Sequence, residues 1–237
     1  MMTKDINTNA FGQQVGAPLP DWQPRARPNR DAMIGKFCRL EAVDATVHGD
    51  DLFDAFGRDT DGRNWTYLGY GPFPDRVEFD SWLAQNCLGN DPLFHAIIDQ
   101  ISGRAVGLAS FLRIDPEMGV IEVGHIHYSP LLQQKPAATE AMFLMMRRVF
   151  DELGYRRYEW KCDALNAPSR NAANRLGFRY EGLFRQALVY KGRNRDTAWY
   201  SIIDQEWPAL KQAFQSWLDD GNFDTDDRQK SRLQDLR

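Results

Sequence analysis

The sequence predicts an α/β protein, a mixed and mostly antiparallel sheet flanked by helices, and three features of the chain support that reading. Its middle holds three β-rich runs separated by short turns. From Pro136 the apolar residues recur at helical spacing, and beyond that point strand-like and helical stretches alternate. With 237 residues, 43% hydrophobic and 26% charged, the chain is long enough for one domain with a substantial core.

Residues 1–34 are polar and rich in proline (GAPLPDWQPRARPNR) and are expected to form an arm laid on the surface, or to stay partly disordered. A short strand follows over about 36–41. Asp44 opens a stretch with apolar spacing at Val47, Leu52, Phe53 and Phe56 that Gly49 interrupts, which predicts a broken first helix. The segment 64–73 (NWTYLGYGPF) is aromatic and glycine-rich and reads as a loop. Asp75 and Glu78 form a capping box ahead of Phe79, Trp82 and Leu83, predicting a second helix to about Asn86. Runs at 94–101 and 105–114 meet at Ser102-Gly103. A turn at 115–119 leads to a third strand over 120–128, which makes an antiparallel meander.

Met142, Met145, Met146, Val149, Phe150 and Leu153 mark one face of a helix from Pro136, with Gly154 at the C-terminal cap. A strand over 158–163 precedes a short helix with Asn166 at its N-cap, Pro168 in its first turn and Gly177 at its end. Ala172, Ala173 and Leu176 form its inward face. Strands over 179–190 and 197–203 flank the turn Lys191–Asn194, and a last helix carries Trp207, Leu210, Phe214 and Trp217. Residues 219–237 are charged and are expected as a mobile tail. No internal repeat or linker is visible, so one domain is expected over 35–218.

Composition narrows the function. The net charge of −4 is mixed in sign, without the basic stripe that nucleic-acid binding needs. No apolar run approaches the ~18–20 residues of a membrane span, and the start lacks a signal-peptide pattern. Cys38, Cys87 and Cys162 are odd in number and lack metal-ligand spacing, so they are expected as reduced, buried thiols in the cytoplasm. The 7 Trp and 14 Phe suggest a lined pocket or a subunit interface, with a large aromatic core the alternative, which leaves a homodimer open.

Several motifs then stand in order. Tyr128-Ser129-Pro130-Leu131-Leu132-Gln133 is followed by Ala138-Thr139-Glu140-Ala141, Asn166-Ala167-Pro168-Ser169, Leu176-Gly177-Phe178 and Glu181-Gly182. Lys191-Gly192-Arg193-Asn194-Arg195-Asp196 and Glu206-Trp207 complete the set. In this order and spacing they resemble the GNAT superfamily of N-acetyltransferases, in its RimJ/RimL-like branch. The likeness covers 36–218 and is densest over 120–207.

The resemblance implies a twisted sheet with a V-shaped split between central strands and acetyl-CoA as cosubstrate in the gap, without a metal. Acetyl would pass to a primary amine, on a small molecule or a protein N-terminus, by direct attack in a ternary complex. The resemblance sets Ile126, His127 and Tyr128 along the pantetheine arm, with a backbone N–H polarising the thioester carbonyl. It sets Gln133, Gln134, Lys135, Ala137, Ala138 and Thr139 around the pyrophosphate. The residue types suit that task independently: a helix N-terminus offers unpaired N–H groups and a positive dipole end, Lys135 a cation and Thr139 a hydroxyl.

The family's usual loop glycines are replaced here by Gln134 and Pro136, and proline has no N–H to give. The loop must then rely on Gln133, Lys135 and the amides of 137–139. Many relatives also carry a tyrosine acid where Ala173 stands. These departures keep open a second class, a catalytically weak or inactive acyl-CoA-binding interaction protein on the same scaffold.

An alkylamine of pKa ~10.4 needs about 4.6 kcal/mol to expose its lone pair at pH 7, whereas a departing thiol near pKa ~8.5 asks for only about 2 kcal/mol. The base therefore matters more than the acid. Glu122 on the central strand is the candidate base, its alternatives a solvated carboxylate or a helix-cap partner. Ser169 is the candidate acid or hydrogen-bond donor to the CoA sulfur, as in the RimJ/RimL-like branch, and Asn166 is set beside the pantetheine amides. Trp65, Tyr67, Tyr70 and Phe73, with Glu122, are candidates to enclose the acceptor, with core packing the alternative for the aromatics. His125 and His127 share a strand face without a third ligand, so no metal is expected. Cys162 has no activating partner and reads as a buried thiol.

Overall fold

The structure, a computed structural model, describes residues 6–225 and 228–237. Eight strands form one sheet: β3 (Met33–Ile34), β4 (Cys38–Ala42), β5 (Leu93–Asp99), β6 (Ala105–Asp115), β7 (Val120–Tyr128), β8 (Arg157–Asp163), β9 (Arg179–Tyr190) and β10 (Arg193–Ile203). Their order is β3-β4-β5-β6-β7-β8-β10-β9. A separate antiparallel hairpin joins β1 (Ile6–Thr8) to β2 (Gln14–Gly16). The helices are α1 (Ala45–Phe56), α2 (Arg76–Asn86), α3 (Pro136–Arg147), α4 (Ala167–Leu176) and α5 (Trp207–Leu218).

Most helix starts follow from local chemistry. Asp44 accepts from the amides of Thr46 and Val47, Asp75 from Glu78, and Asn166 from Ser169, each satisfying an orphan donor of a first turn. The expected break at Gly49 is corrected: α1 runs through it. Gly49 is buried facing α2, where an added Cβ would stand 3.4 Å from Arg76 Nη2, so close helix packing outweighs the propensity cost. Lys191 and Gly192, at φ 49° and 69°, turn β9 tightly into β10, so β10 starts before the expected Thr197.

The sheet carries two cores. On one face α3, α4 and α5 bury Met142, Met145, Met146, Val149, Phe214 and Trp217 among others. On the other, α1, α2 and the 64–73 loop pack Leu52, Phe56, Trp65, Phe79 and Leu83 over residues of β5 and β6. That second layer stops short of β8–β10, where Phe184 remains 51% exposed.

Between β7 and β8, the parallel pair, the register runs only from Val120–Arg157 to Val123–Trp160. Beyond it β7 continues beside β6 to Tyr128 and β8 beside β10 to Asp163. The sheet therefore opens after Val123. A bulge sits at the opening: Gly124 to His127 on β7 span three steps against two from Ser110 to Leu108 on β6, and His125 takes φ 50°. Ser110 Oγ donates to the Gly124 carbonyl at 3.2 Å.

Residues 6–34 run as an arm packed against the domain, while residues 1–5 of that arm and 226–227 of the C-terminal segment lie outside the described residues. Trp22 donates its indole N–H to the Glu117 carbonyl at 2.8 Å and lies over Gly119, where a side chain would collide with it. The segment expected as a mobile tail folds back instead. Leu233 is fully buried in the main core, and Trp217 Nε1 donates to Gln229 Oε1 at 2.8 Å, because Phe223, Leu233 and Leu236 are apolar anchors among the charges. Among the described residues no helix is long and apolar enough to cross a membrane.

Candidate active site

A cleft of about 450 Å³ opens on the side of the split sheet left bare by the second core. Its walls come from the ends of β6 and β7, from β8, from the first turn of α4, from the β9–β10 hairpin and from residues 64–69. Of the expected site residues, Glu122, Ile126, Asn166, Ser169 and Tyr67 line it.

The aromatic loop divides. Trp65 is buried, with its ring 5.5 Å from Phe56, 5.4 Å from Phe73 and 3.8 Å from His127, so Trp65 and Phe73 belong to the second core and not to the cleft. Tyr70 reaches His125, with its hydroxyl 3.2 Å from Nδ1. Tyr67 faces the cleft and donates to the Leu165 carbonyl at 3.1 Å, while Lys191 of the hairpin donates to the Trp65 carbonyl at 2.8 Å. The loop is thus tied to both opposite walls.

Glu122 is buried at 3% exposure, and its two oxygens are both engaged. Arg113 Nη1 donates to them at 2.7 and 2.8 Å, and Lys161 Nζ stands 2.7 Å from Oε2. The ladder continues, with Lys161 2.8 Å from Glu159 and Arg157 bridging Glu159 and Glu181. Lys161 also lies 3.9 Å over the Trp199 ring. Charges taken from water need this reciprocal neutralisation. The other cleft carboxylate, Asp163, is equally committed, accepting from Tyr190 Oη and the Leu165 amide at 2.8 Å each.

Ser169 Oγ accepts from Trp160 Nε1 at 3.0 Å, and its hydroxyl also hydrogen-bonds the Cys162 sulfur, which offsets part of the effect of burial on that thiol. Ala173, in the place of a tyrosine acid, is fully buried. His125 and His127 are packed by aromatics rather than paired for a metal. Burial, then the Arg113 charge, pushes His125 down to about 4, and burial pushes His127 to about 3. Among the described residues no group of three His, Cys, Asp or Glu is placed to hold a metal ion. Burial raises the Cys162 thiol, so it is an inert lining group.

At the far end of β7 lies the start of α3. Leu132 packs onto Gly107, where an added Cβ would come within 2.6 Å of it, and Tyr128 Oη donates to the Ala138 carbonyl at 3.2 Å. Gln133 Nε2 donates to the Tyr128 carbonyl at 3.0 Å. The loop departs from expectation in detail. The Ala138 amide already donates to the Lys135 carbonyl at 3.1 Å, so Gln134 and Ala137 are the amides without an acceptor among the described residues. Gln134 sits at φ 61°, the conformation a glycine would take without cost. Thr139 Oγ1 accepts from Arg175 Nη1 at 3.0 Å. Arg175 of α4 therefore reaches the first turn of α3 at Thr139, and Lys135, exposed at the N-cap of that helix, has no carboxylate partner among the described residues.

Sequence reading misses Arg113, Lys161 and Arg175, and it takes Arg195 as part of a polar, structural cluster, Arg193–Asp196, near a turn. Arg175 leaves a trace only as the cation ahead of Leu176-Gly177-Phe178. The others alternate with neighbours in strands and take on meaning only through cross-strand register.

A sheet parted between parallel strands, with a cation-flanked helix start at one end of the gap and a cleft at the other, defines the N-acetyltransferase class of α/β fold. The family model described as acetyltransferase (GNAT) domain matches residues 39–179, and the chain belongs to that family. A GCN5-related N-acetyltransferase from Brucella melitensis is 52% identical, superimposes with a TM-score of 0.90 and covers 92% of this chain and 99% of its own. The uncharacterized N-acetyltransferase p20 of Bacillus licheniformis is 31% identical over 116 residues, which span 47% of this chain and 62% of that relative's length. The microcin C7 self-immunity acetyltransferase MccE, solved with acetyl-CoA and AMP, shares the fold at 20% identity and a TM-score of 0.63. It covers 71% of this chain and 93% of its own.

Proposed function

We propose that the protein is a cytoplasmic enzyme of the RimJ/RimL-like branch. It transfers acetyl from acetyl-CoA to a primary amine, on a small molecule or a protein N-terminus, by direct attack within a ternary complex. The observation that carries this is the parting of the sheet after Val123, which leaves one edge of Gly124–Tyr128 without a strand neighbour. A pantetheine arm, with its own amides, is suited to pair with such an edge. At the α3 start the free amides of Gln134 and Ala137, with Lys135 and Arg175, suit a diphosphate. MccE, of the same fold, holds acetyl-CoA, which supports that coenzyme here.

Each group then has a task. A backbone N–H at the Ile126–Tyr128 edge polarises the thioester carbonyl, an interaction worth about 3–4 kcal/mol at comparable sites. The amine attacks as the neutral species. Its nitrogen bonds to the acetyl carbon, the carbon–sulfur bond breaks, and the nitrogen's proton passes to water or to the departing sulfur. Ser169 donates its hydroxyl hydrogen toward that sulfur in exchange for its contact with Cys162.

Neither cleft carboxylate is free to take the proton. Glu122 serves instead to anchor Arg113 and Lys161. Arg195, which no carboxylate among the described residues offsets, favours the uncharged amine and reduces the ~4.6 kcal/mol cost of deprotonation. The test is calorimetry with CoA beside thiol release from acetyl-CoA over a panel of amines. Micromolar to sub-millimolar uptake and amine-dependent thiol release are expected. Pure, folded protein that takes up no CoA at millimolar concentration would remove the acyl-transfer reading.

A further inference from the structure

We propose that the acceptor amine carries an anionic group, a carboxylate or a phosphate, and that Arg195 binds it; this rests on the acyl-transfer reading above. Five charged side chains line the cleft, and four of them are committed. Arg113 and Lys161 share Glu122, and Asp163 is held by Tyr190 and a backbone amide. Arg195 stands apart. Its Nε donates to Thr197 Oγ1 at 3.2 Å and its guanidinium carbon lies 5.8 Å from the Tyr190 ring centroid, while no carboxylate among the described residues pairs with it. Both Nη groups keep their donors unused among the described residues.

Position makes this cation available to a ligand. Thr197 pairs with Asp163, the last residue of β8, so Arg195 lies two residues past that strand's end, toward the first turn of α4 that carries Ser169. Arg195 is half-buried and aligns on one face of β10 with Thr197 and Trp199. Phe184 stacks on Trp199 at 4.2 Å, and Leu188 adds a second apolar wall, so the same cleft offers a surface for the body of an organic amine.

Charge balance gives the direction of selection. A purely cationic amine entering the cleft finds both carboxylates already held and meets the unpaired Arg195, whereas an amine that brings its own acid supplies the counter-charge that Arg195 lacks. A planar guanidinium with two free Nη groups matches the paired oxygens of a carboxylate or phosphate.

Steady-state thiol release with the full chain tests this on matched pairs. Phenylalanine against 2-phenylethylamine isolates a carboxylate, and 2-aminoethyl phosphate against 2-aminoethanol isolates a phosphate. In at least one pair the acidic member is expected to show a kcat/KM roughly ten- to hundredfold above its neutral partner. Arg195→Gln should collapse that ratio, chiefly through KM, and Arg195→Lys should retain part of it, with the CoA dissociation constant unchanged in both. Equal use of both members of each pair, or a ratio that survives Arg195→Gln, overturns the proposal. So does the absence of turnover of either acid by protein that still binds CoA. Loss of CoA uptake in the unaltered chain would instead overturn the enzyme reading beneath it.

Discussion

Glu122 shows how one residue can change its role once its neighbours are known. By strand position alone it is a candidate base. Arg113 and Lys161, each about 2.7 Å from it, convert it into the counterion of two cations, and any proton it accepted would have to displace one of them. Glu122→Gln keeps the shape but leaves Arg113 and Lys161 facing each other. Removing one partner of a buried pair costs about 3–5 kcal/mol, and because the Arg113 side chain is 57% exposed a loss of about 1–3 kcal/mol is expected. Urea unfolding measures it. In the same variant the ascending limb of the pH–rate profile should persist, since it reports the acceptor amine. Disappearance of that limb, with stability intact, would return Glu122 to the role of base.

Among the elements, the start of α3 binds most of the argument together, because the helix follows directly from the strand that lines the gap. Lys135 and Arg175 approach it from different elements, so their contributions to an anion should be separable. Lys135→Ala and Arg175→Ala are each expected to weaken CoA binding by about 1–2 kcal/mol, and to flatten its salt dependence, as read by calorimetry at two ionic strengths. Arg175 also lies 5.1 Å over Trp217, so Arg175→Lys serves as the control for lost packing. An unchanged dissociation constant in either alanine variant removes that residue from the phosphate site. The elements themselves were legible where their signals are local. Asp44, Asp75 and Asn166 cap helices as their side chains predict, and the strand over 120–128 has the bounds its residues suggest. Gly49 misled because a helix interior tolerates glycine when a second helix packs closely against it, which only the pairing with α2 reveals. The folded C-terminal segment was hidden in the same way, since three apolar anchors spread over fourteen residues, 223–236, make no periodic pattern.

At the scale of the whole molecule, what escaped the sequence is what depends on register between distant segments: where β7 and β8 part, and which charges that parting brings together. Two histidines belong with these. His95 and His127 are 0% and 3% exposed, and among the described residues neither nitrogen of His95 nor Nε2 of His127 makes a hydrogen bond of ordinary geometry. Burial first, and for His95 then the charges of Arg148 and Arg30, pushes both down to about 3, against 6.5 for a free imidazole. Between these values the unfolded chain binds protons that the folded chain excludes. Their contribution is therefore complete above about pH 6.5 and is lost as the pH falls below it, at up to about 1.4 kcal/mol per pH unit for each histidine. Carboxylates held low by ion pairs act in a lower window. Glu41 and Glu181, lowered chiefly by Arg39 and Arg157, withdraw stability only as the pH drops below their ordinary value of 4.5. From pH 6.5 to about 4.5 the slope thus belongs to the histidines, with His125, lowered to about 4, adding to it. Urea unfolding at pH 7, 6 and 5 should show stability falling with acidity, and His95→Phe, which keeps an aromatic ring beside Phe111, should reduce that slope by one proton's share. A flat profile from pH 7 to 5 would mean that these rings reach solvent or a partner in the folded state, and both cores, the main one around His95 and the second around His127, would then have to be looser than their packing indicates.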